Sequence, residues 1–185
     1  DFSIHSAITY HSRLSAAEKF SHSIKEVNGL LPIEYQSRLA TGYVNGQMRT
    51  RQKSNLLRKL QEVEEGESYL LTNARCLTEG IDVPNLDAVC FVDPRTSMVD
   101  IVQAVGRVLR KGSNPSKVGR IIIPIFIDDF SAPELEFSQT KFAGLWKVIC
   151  ALESHDEDLR DEMQNLRLGI SNSPGSSVML PEGLK

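Results

Sequence analysis

Between residues 7 and 127, short apolar runs alternate with polar stretches of helical spacing, and this alternation restricts the fold more than any single motif does. Ala7–His11 reads as a first strand, followed by a helix from about Ser15 to Val27 and a loop-like Gly29–Ser37. Thr41–Val44 is a second strand, closed by Asn45-Gly46 and followed by a polar helix from about Thr50 to Glu64. Ser68–Thr72 is a third, Asp87–Val92 a fourth and Gly119–Ile127 a fifth, with a helix over Ser97–Arg110 between the last two. Strands that alternate with helices imply βαβ units, because parallel neighbours need a long crossover rather than a hairpin. The pattern predicts an α/β fold with a doubly wound, mostly parallel sheet. The unbroken run Ile121-Ile122-Ile123 suits a strand buried on both faces.

In such a sheet, ligands collect beyond the carboxyl ends of the strands. The segments that depart from plain strand or helix composition fall there: Ser12-Arg13, Asn45-Gly46, Asn73 to Pro84, and Asp93 to Ser97. In the 72–84 stretch, Gly80 permits a tight turn, Asp82 presents a carboxylate just after it, and Pro84 keeps the chain out of a ladder. Taken alone, a carboxylate at such a turn is more often a local backbone acceptor than a ligand contact.

The helix over 97–110 opens with Ser97 and, three places on, Asp100, a capping-box-like start. Met98, Ile101, Val102, Val105, Val108 and Leu109 recur at helical spacing and predict a core-facing flank. At roughly 100° per residue, Asp100, Gln103, Arg107 and Arg110 share an arc of about 80°, with Gly106 beside them. One account is a solvated face whose basic C-terminus suits the helix dipole. The other is a pair of guanidinium forks set to meet a polyanion. The helix by itself leaves both open.

Charge says where a polyanion would bind. Net charge over the 185 residues is −3, which argues against a general nucleic-acid binder, but it is unevenly spread. Residues 1–122 carry 16 Lys+Arg against 13 Asp+Glu, and the remainder carries 5 against 11. The first two-thirds is therefore the part to meet such a partner. The cluster Arg49-Thr50-Arg51-Gln52-Lys53 either extends a basic track or solvates and caps a helix. Cys76, Cys90 and Cys150 show no paired spacing and read as buried thiols in a reducing compartment. His5, His11, His22 and His155 have no ligand spacing, so no metal site is expected. With no signal-peptide pattern and no apolar run long enough to span a bilayer, a cytoplasmic protein without a membrane partner is expected. The domain reading is 1–130 for the sheet domain, 131–168 for a helical appendage and 169–185 for a linker or tail. In the appendage, Phe137, Phe142, Leu145, Trp146, Ile149 and Leu152 mark one amphipathic helix, and His155–Leu168 continues as a charged one.

The 72–84 loop ends in Gly80-Ile81-Asp82-Val83-Pro84, and about twenty residues later comes Gln103-Ala-Val-Gly-Arg-Val-Leu-Arg110. In these two segments the sequence resembles the superfamily 2 helicases: the first matches their motif V and the second their motif VI. Leu77 to Val89, Asp93-Pro94-Arg95 and Val102 to Arg107 further resemble the DEAD/DEAH-like helicases of restriction-type systems. The resemblance covers roughly residues 5 to 127. It implies a RecA-like fold, the second of two motor domains that bind ATP and Mg²⁺ in the cleft between them.

On this resemblance, an N-terminal RecA-like domain of the same polypeptide supplies the phosphate loop and the Mg²⁺-binding acid. No Gly-x-x-x-x-Gly-Lys-Ser/Thr loop occurs in these residues, and the chain alone is expected to lack ATPase activity. His155-Asp156-Glu157-Asp158 follows an amphipathic helix rather than a buried strand and does not read as that acid. Arg107 and Arg110 match the family's catalytic arginine fingers, and Gly80, Asp82 and Gln103 its ATP-facing positions. Ser12, Arg13, Gly46, Thr72, Asn73 and Arg75 are the candidate nucleic-acid contacts, chiefly to phosphates. Ala74 departs from the pattern, standing where many relatives have Thr. The expected partner is DNA, with a DNA helicase or translocase of a restriction-modification-like enzyme as the expected function. An RNA helicase domain and a non-catalytic RecA-like interaction domain are the alternatives.

Overall fold

The structure, a computed structural model, describes residues 4–74, 86–94, 97–109, 117–124 and 140–153. The chain forms two compact units, one of Asp1–Pro94 with Val99–Pro124 and one of Arg95–Met98 with Ile125–Lys185. The described elements are β1 (Ser6–His11), α1 (Leu14–Leu30), β2 (Arg38–Val44), α2 (Thr50–Gln61), β3 (Glu67–Ala74), β4 (Ala88–Phe91), α3 (Met98–Val108), β5 (Arg120–Ile122) and α4 (Ala143–Glu153). A single 3-10 turn, Ile33–Tyr35, lies between α1 and β2.

The five strands form one sheet in the order β2-β3-β1-β4-β5, and every pairing is parallel. The alternation in the sequence therefore becomes the doubly wound sheet it predicts. β1 sits at the centre, with Ser6–His11 level with Tyr69–Ala74 on one side and Ala7–Tyr10 level with Ala88–Phe91 on the other. All six of its residues are buried, as a strand flanked by two strands and covered on both faces should be. Ile8, Leu71 and Val89 form a row across the core, and Tyr10 stacks on Phe91 with ring centroids 5.4 Å apart.

Side chains of β2 show which helix covers which face. The Thr41 hydroxyl donates to the Ser21 carbonyl at 2.8 Å, so Thr41 faces α1. The next residue, Gly42, faces the other way, toward Leu56 of α2 and the Tyr69 hydroxyl. Small residues on the inner side of α1, Ala17 and Ser21, are buried and let that helix lie close to the sheet. The step from β4 to β5 runs in the same direction as that from β2 to β3, so a right-handed crossover puts α3 on the α2 face.

One expectation fails here. The Ile121–Ile123 run is not buried on both faces: β5 is an edge strand, and Ile122 is 40 % exposed. Among the described strands β5 has one neighbour, so its apolar run is not enclosed as β1 is.

The second unit contributes α4, whose start is closed by the Thr140 hydroxyl accepting from the Phe142 N–H at 3.1 Å. Leu145 and Val148 are buried, with Trp146 and Ile149 half-buried, in keeping with the expected apolar stripe. Phe137, the charged helix expected over His155–Leu168 and the 169–185 tail lie outside the described residues.

Candidate functional site

Three neighbouring strands end level with one another. Tyr10 of β1 pairs with Asn73 of β3, and Asn73 pairs with Val44 of β2. Ser12-Arg13, Asn73-Ala74 and Asn45-Gly46 therefore form a row along the carboxyl edge, and with strands about 4.8 Å apart its ends lie about 10 Å apart. Ser12, Arg13 and Gly46 are exposed along it.

The β2–α2 turn holds itself together. The Asn45 side-chain oxygen accepts from the backbone N–H groups of Gln47 and Met48, at 2.9 and 3.0 Å. The Lys53 ammonium donates to the Gly46 carbonyl at 3.2 Å, and the Arg49 N–H donates to the Gln52 side chain at 3.0 Å. The latter is half of a capping box, since a guanidinium has no acceptor to complete it. From Arg49 to Lys59 this segment carries five basic residues and no acid. Gln52 and Lys53 thus serve the turn, Arg58 is paired with Glu62 at 3.2 Å, and Arg49, Arg51 and Lys59 are exposed beside it.

Thr72 and Asn73 are fully buried. The Thr72 hydroxyl contacts the carbonyls of Ala17, at 2.8 Å, and Gly42, at 3.2 Å, so it fastens α1 to the sheet rather than facing outward. Arg75, Gly80, Asp82 and Arg110 lie outside the described residues.

Asp93, just past β4, lies in the Asp93-Pro94-Arg95 segment of the resemblance but is not among the site residues it implies. One of its carboxylate oxygens accepts from both the backbone N–H and the hydroxyl of Ser12, at 2.8 and 2.9 Å. Its own N–H donates to the Tyr10 carbonyl at 3.3 Å. The Ser12 backbone N–H, more than any other group, holds this carboxyl below its usual range; burial opposes the shift, and the Ser12 hydroxyl, His11 and Arg13 add to it. The start of β4–α3 is thereby tied to the β1–α1 turn. The available signal was an Asp-Pro pair directly after an apolar strand, a pattern that marks a turn acceptor.

Helix α3 differs from its sequence reading in which side faces inward. Ile101, Ala104, Val105 and Val108 are buried, whereas Val102 and Leu109, expected in the core flank, are 54 % and 46 % exposed. The expected polar ridge is divided too: Gln103 is exposed, Asp100 is half-buried and Arg107 is only 8 % exposed. On the helical wheel Arg107 lies between half-buried Asp100 and exposed Gln103, with buried Ala104 about 60° away, so its long stem lies along the core edge. The outer side of the helix presents Val99, Val102, Gln103, Gly106 and Leu109. Its far end is set by Gly119, whose bare backbone lies against the Val108 carbonyl where a Cβ would collide. Since α3 leaves the carboxyl edge and runs back along the sheet, Gln103 and Arg107 lie about 6 and 12 Å beyond Val99 along its axis. The structure therefore groups Ser12, Arg13 and Gly46 at the edge and sets Gln103 and Arg107 apart from them.

Among the described residues, no group of three or more His, Cys, Asp or Glu could hold a metal ion, and no helix is long and apolar enough to cross a membrane. Burial pushes the Cys90 thiol up to about 11, which leaves it protonated and unreactive near neutral pH.

Comparison with known proteins bears on the same segment of chain. The model of the family described as helicase conserved C-terminal domain matches residues 3–112. The chain is 33 % identical over 147 residues to the putative ATP-dependent helicase IRC3 of Saccharomyces cerevisiae, covering 71 % of this chain and 21 % of that protein. It is 29 % identical over 106 residues to the ATP-dependent rRNA helicase SPB4 of Lodderomyces elongisporus, covering 57 % of this chain and 16 % of that protein. Among solved structures, the ATP-dependent Type ISP restriction-modification enzyme LlaBIII bound to DNA matches with a TM-score of 0.69 and 34 % identity. That match covers 94 % of this chain and 11 % of LlaBIII, so the chain spans about a fifth or less of each of these relatives.

Proposed function

The chain belongs to the helicase conserved C-terminal domain family, and from that premise we propose that it is the second RecA-like motor domain of an ATP-dependent DNA helicase or translocase in a restriction-modification-like enzyme. One observation carries the reading: an exposed row of strand ends beside a basic helix, with Gln103 and Arg107 on a separate helix tied to that row through Asp93 and Ser12. Such an arrangement supports two ligand stations on one domain, a nucleic-acid backbone at the edge and a nucleotide along α3.

In this reading Arg13, Arg75 and the backbone at Gly46 meet phosphates and read little sequence. Ser12 contributes through its position, because both of its donors are held by Asp93. Thr72 and Asn73 support the edge from beneath. Arg107 and Arg110 stabilise charge developing on the γ-phosphoryl group, while Gln103, Gly80 and Asp82 line the nucleotide. Arg107 as a residue is largely withdrawn from water, which lowers the screening of its charge. When bound, ATP with Mg²⁺ supplies the phosphoryl group whose hydrolysis drives movement, and both are held mainly by the N-terminal RecA-like domain. The exposed apolar side of α3, with Val99, Val102 and Leu109, suits contact with that domain. The likeness to LlaBIII, bound to DNA, favours DNA. The likeness to an rRNA helicase supports RNA as the second reading.

Replacing Arg107 in the intact enzyme tests the proposal. Arg107→Ala and Arg107→Lys should each lower nucleic-acid-stimulated ATP hydrolysis by about 10³-fold or more, with nucleic-acid affinity retained. Because Arg107 is buried, thermal unfolding is measured alongside. A well-folded variant with wild-type turnover would sink the motor reading. The 185-residue chain purified alone should show no hydrolysis above background, and comparing DNA with RNA as the stimulant separates the two readings.

A further inference from the structure

Two carboxylates fasten β1 to β4, one at each end of the pair, and they do different things. At the amino end, one Asp87 oxygen accepts from the backbone N–H groups of His5 and Ser6, both at 3.0 Å. The Asp87 N–H donates to the Ser6 carbonyl, also at 3.0 Å. Those bonds join strand to strand. At the carboxyl end, the last level pair of the ladder is Tyr10 with Phe91. Asp93 lies two residues beyond it, and its carboxylate reaches Ser12, the first residue of the β1–α1 turn. Asp93 therefore joins one strand exit to another, where the registered pairs and Asp87 already hold the strands themselves.

The two exits lead to different stations. Ser12 is followed by the exposed Arg13 and then by α1. Five residues after Asp93 comes Met98, the first residue of α3. The far end of α3 meets a steric stop, since Gly119 lies against the side chain and carbonyl of Val108. A helix fixed at Val108 and displaced at its start rocks about the fixed end. Along its axis Arg107 lies about 1.5 Å from that pivot, Gln103 about 7.5 Å and Val99 about 13.5 Å. Rocking thus moves Val99 and Gln103 and leaves Arg107 nearly in place.

The bonds that join the exits are also those an arriving anion bears upon. Both lie at an exposed position, and both Ser12 donors are committed to Asp93. A phosphate beside Arg13 attracts that side chain and repels the Asp93 carboxylate. We propose that Asp93 is a positioning residue that couples the two stations: a nucleic-acid phosphate arriving beside Ser12 and Arg13 shifts the Asp93–Ser12 pair, and the shift rocks the near end of α3 to bring Gln103 and the Val99 side onto the nucleotide. What the two stations hold rests on the motor reading. Because Arg107 sits beside the pivot, unstimulated hydrolysis needs no such movement, and Asp93 bears on the stimulation alone.

The test uses the intact polypeptide that carries this chain. Hydrolysis is followed against the concentration of the nucleic acid, DNA or RNA, that stimulates the wild type, with affinity by fluorescence anisotropy and an unfolding midpoint for each variant. Asp93→Ala removes both acceptors and should lower the maximal stimulated kcat about tenfold or more. Its unstimulated rate and its Kd for nucleic acid should stay within about threefold of wild type. Asp93→Asn keeps one carbonyl oxygen that can accept both bonds and should recover most of the lost stimulation. Ser12→Ala, which removes one of the two donors and holds the question open if Asp93→Ala does not fold, should lower the stimulated-to-unstimulated ratio about threefold. Asp87→Asn, at the other end of the same strands, should lower the unfolding midpoint and leave that ratio unchanged. Full stimulation in Asp93→Ala or Ser12→Ala overturns the coupling role, as does an equal loss from both rates or the same loss of ratio in Asp87→Asn. A wild type that neither DNA nor RNA stimulates overturns the motor reading itself, whereas wild-type stimulation that survives in Asp93→Ala overturns only the role given to Asp93.

Discussion

Asp93 shows what a single carboxylate does for the site. Its folded-state pKa lies below the ordinary 3.8, so the stability it contributes is complete above that value and is lost as pH falls through the folded one. Asp93→Asn should cost about 1–2 kcal/mol at neutral pH, kept modest by partial exposure, and should flatten the acid limb of stability against pH. Chemical denaturation between about pH 6 and pH 3 measures both. An unchanged acid limb would remove Asp93 from the account. The burial of Arg107 was not legible from the motif that holds it. A helical wheel gives an angle but not the height of the core beside it, and Ala104, small and unremarkable in sequence, shifts the inward face by about one position. Asp93 was legible as a turn residue, but its partner Ser12 lies eighty-one residues away, and no local pattern carries that separation.

At the level of elements, the alternation of strand and helix was enough to predict the parallel sheet, and most boundaries fell within two residues. The exceptions have physical causes. β2 begins at Arg38, three residues before the expected Thr41, because an exposed edge strand tolerates polar residues that pattern reading takes for loop. Ile121–Ile123 has the composition of an enclosed strand but, among the described strands, lies at the edge, and which strand lies at an edge depends on topology alone. Gly119 matters in a way that its neighbours in sequence do not reveal. A methyl group there meets the Val108 side chain and backbone carbonyl, and the backbone cannot swing aside. Gly119→Ala should therefore destabilise the domain by about 1–3 kcal/mol and move the end of α3 that carries Arg107. The expected signs are a lower unfolding midpoint and impaired hydrolysis in the intact enzyme; unaltered values for both would show that α3 and β5 are not locked together there.

For the molecule as a whole, charge is distributed to match the proposed division of labour, with five basic residues over Arg49–Lys59 and an acidic balance beyond residue 122. Binding to DNA should weaken steeply with salt, and Arg13→Ala should lower affinity evenly across sequences and reduce the log–log salt slope by about 1. A sequence-dependent loss with an unchanged slope would move Arg13 away from the backbone. The order β2-β3-β1-β4-β5 has a further consequence, for the chain as it leaves the ribosome. The first two strands made are never neighbours: the slot between them stays vacant until residues 67–74 emerge, and the central strand has no second flank until residue 91 follows. Until then the first two strands have nothing between them to pair with, so the sheet closes late in the synthesis of the domain.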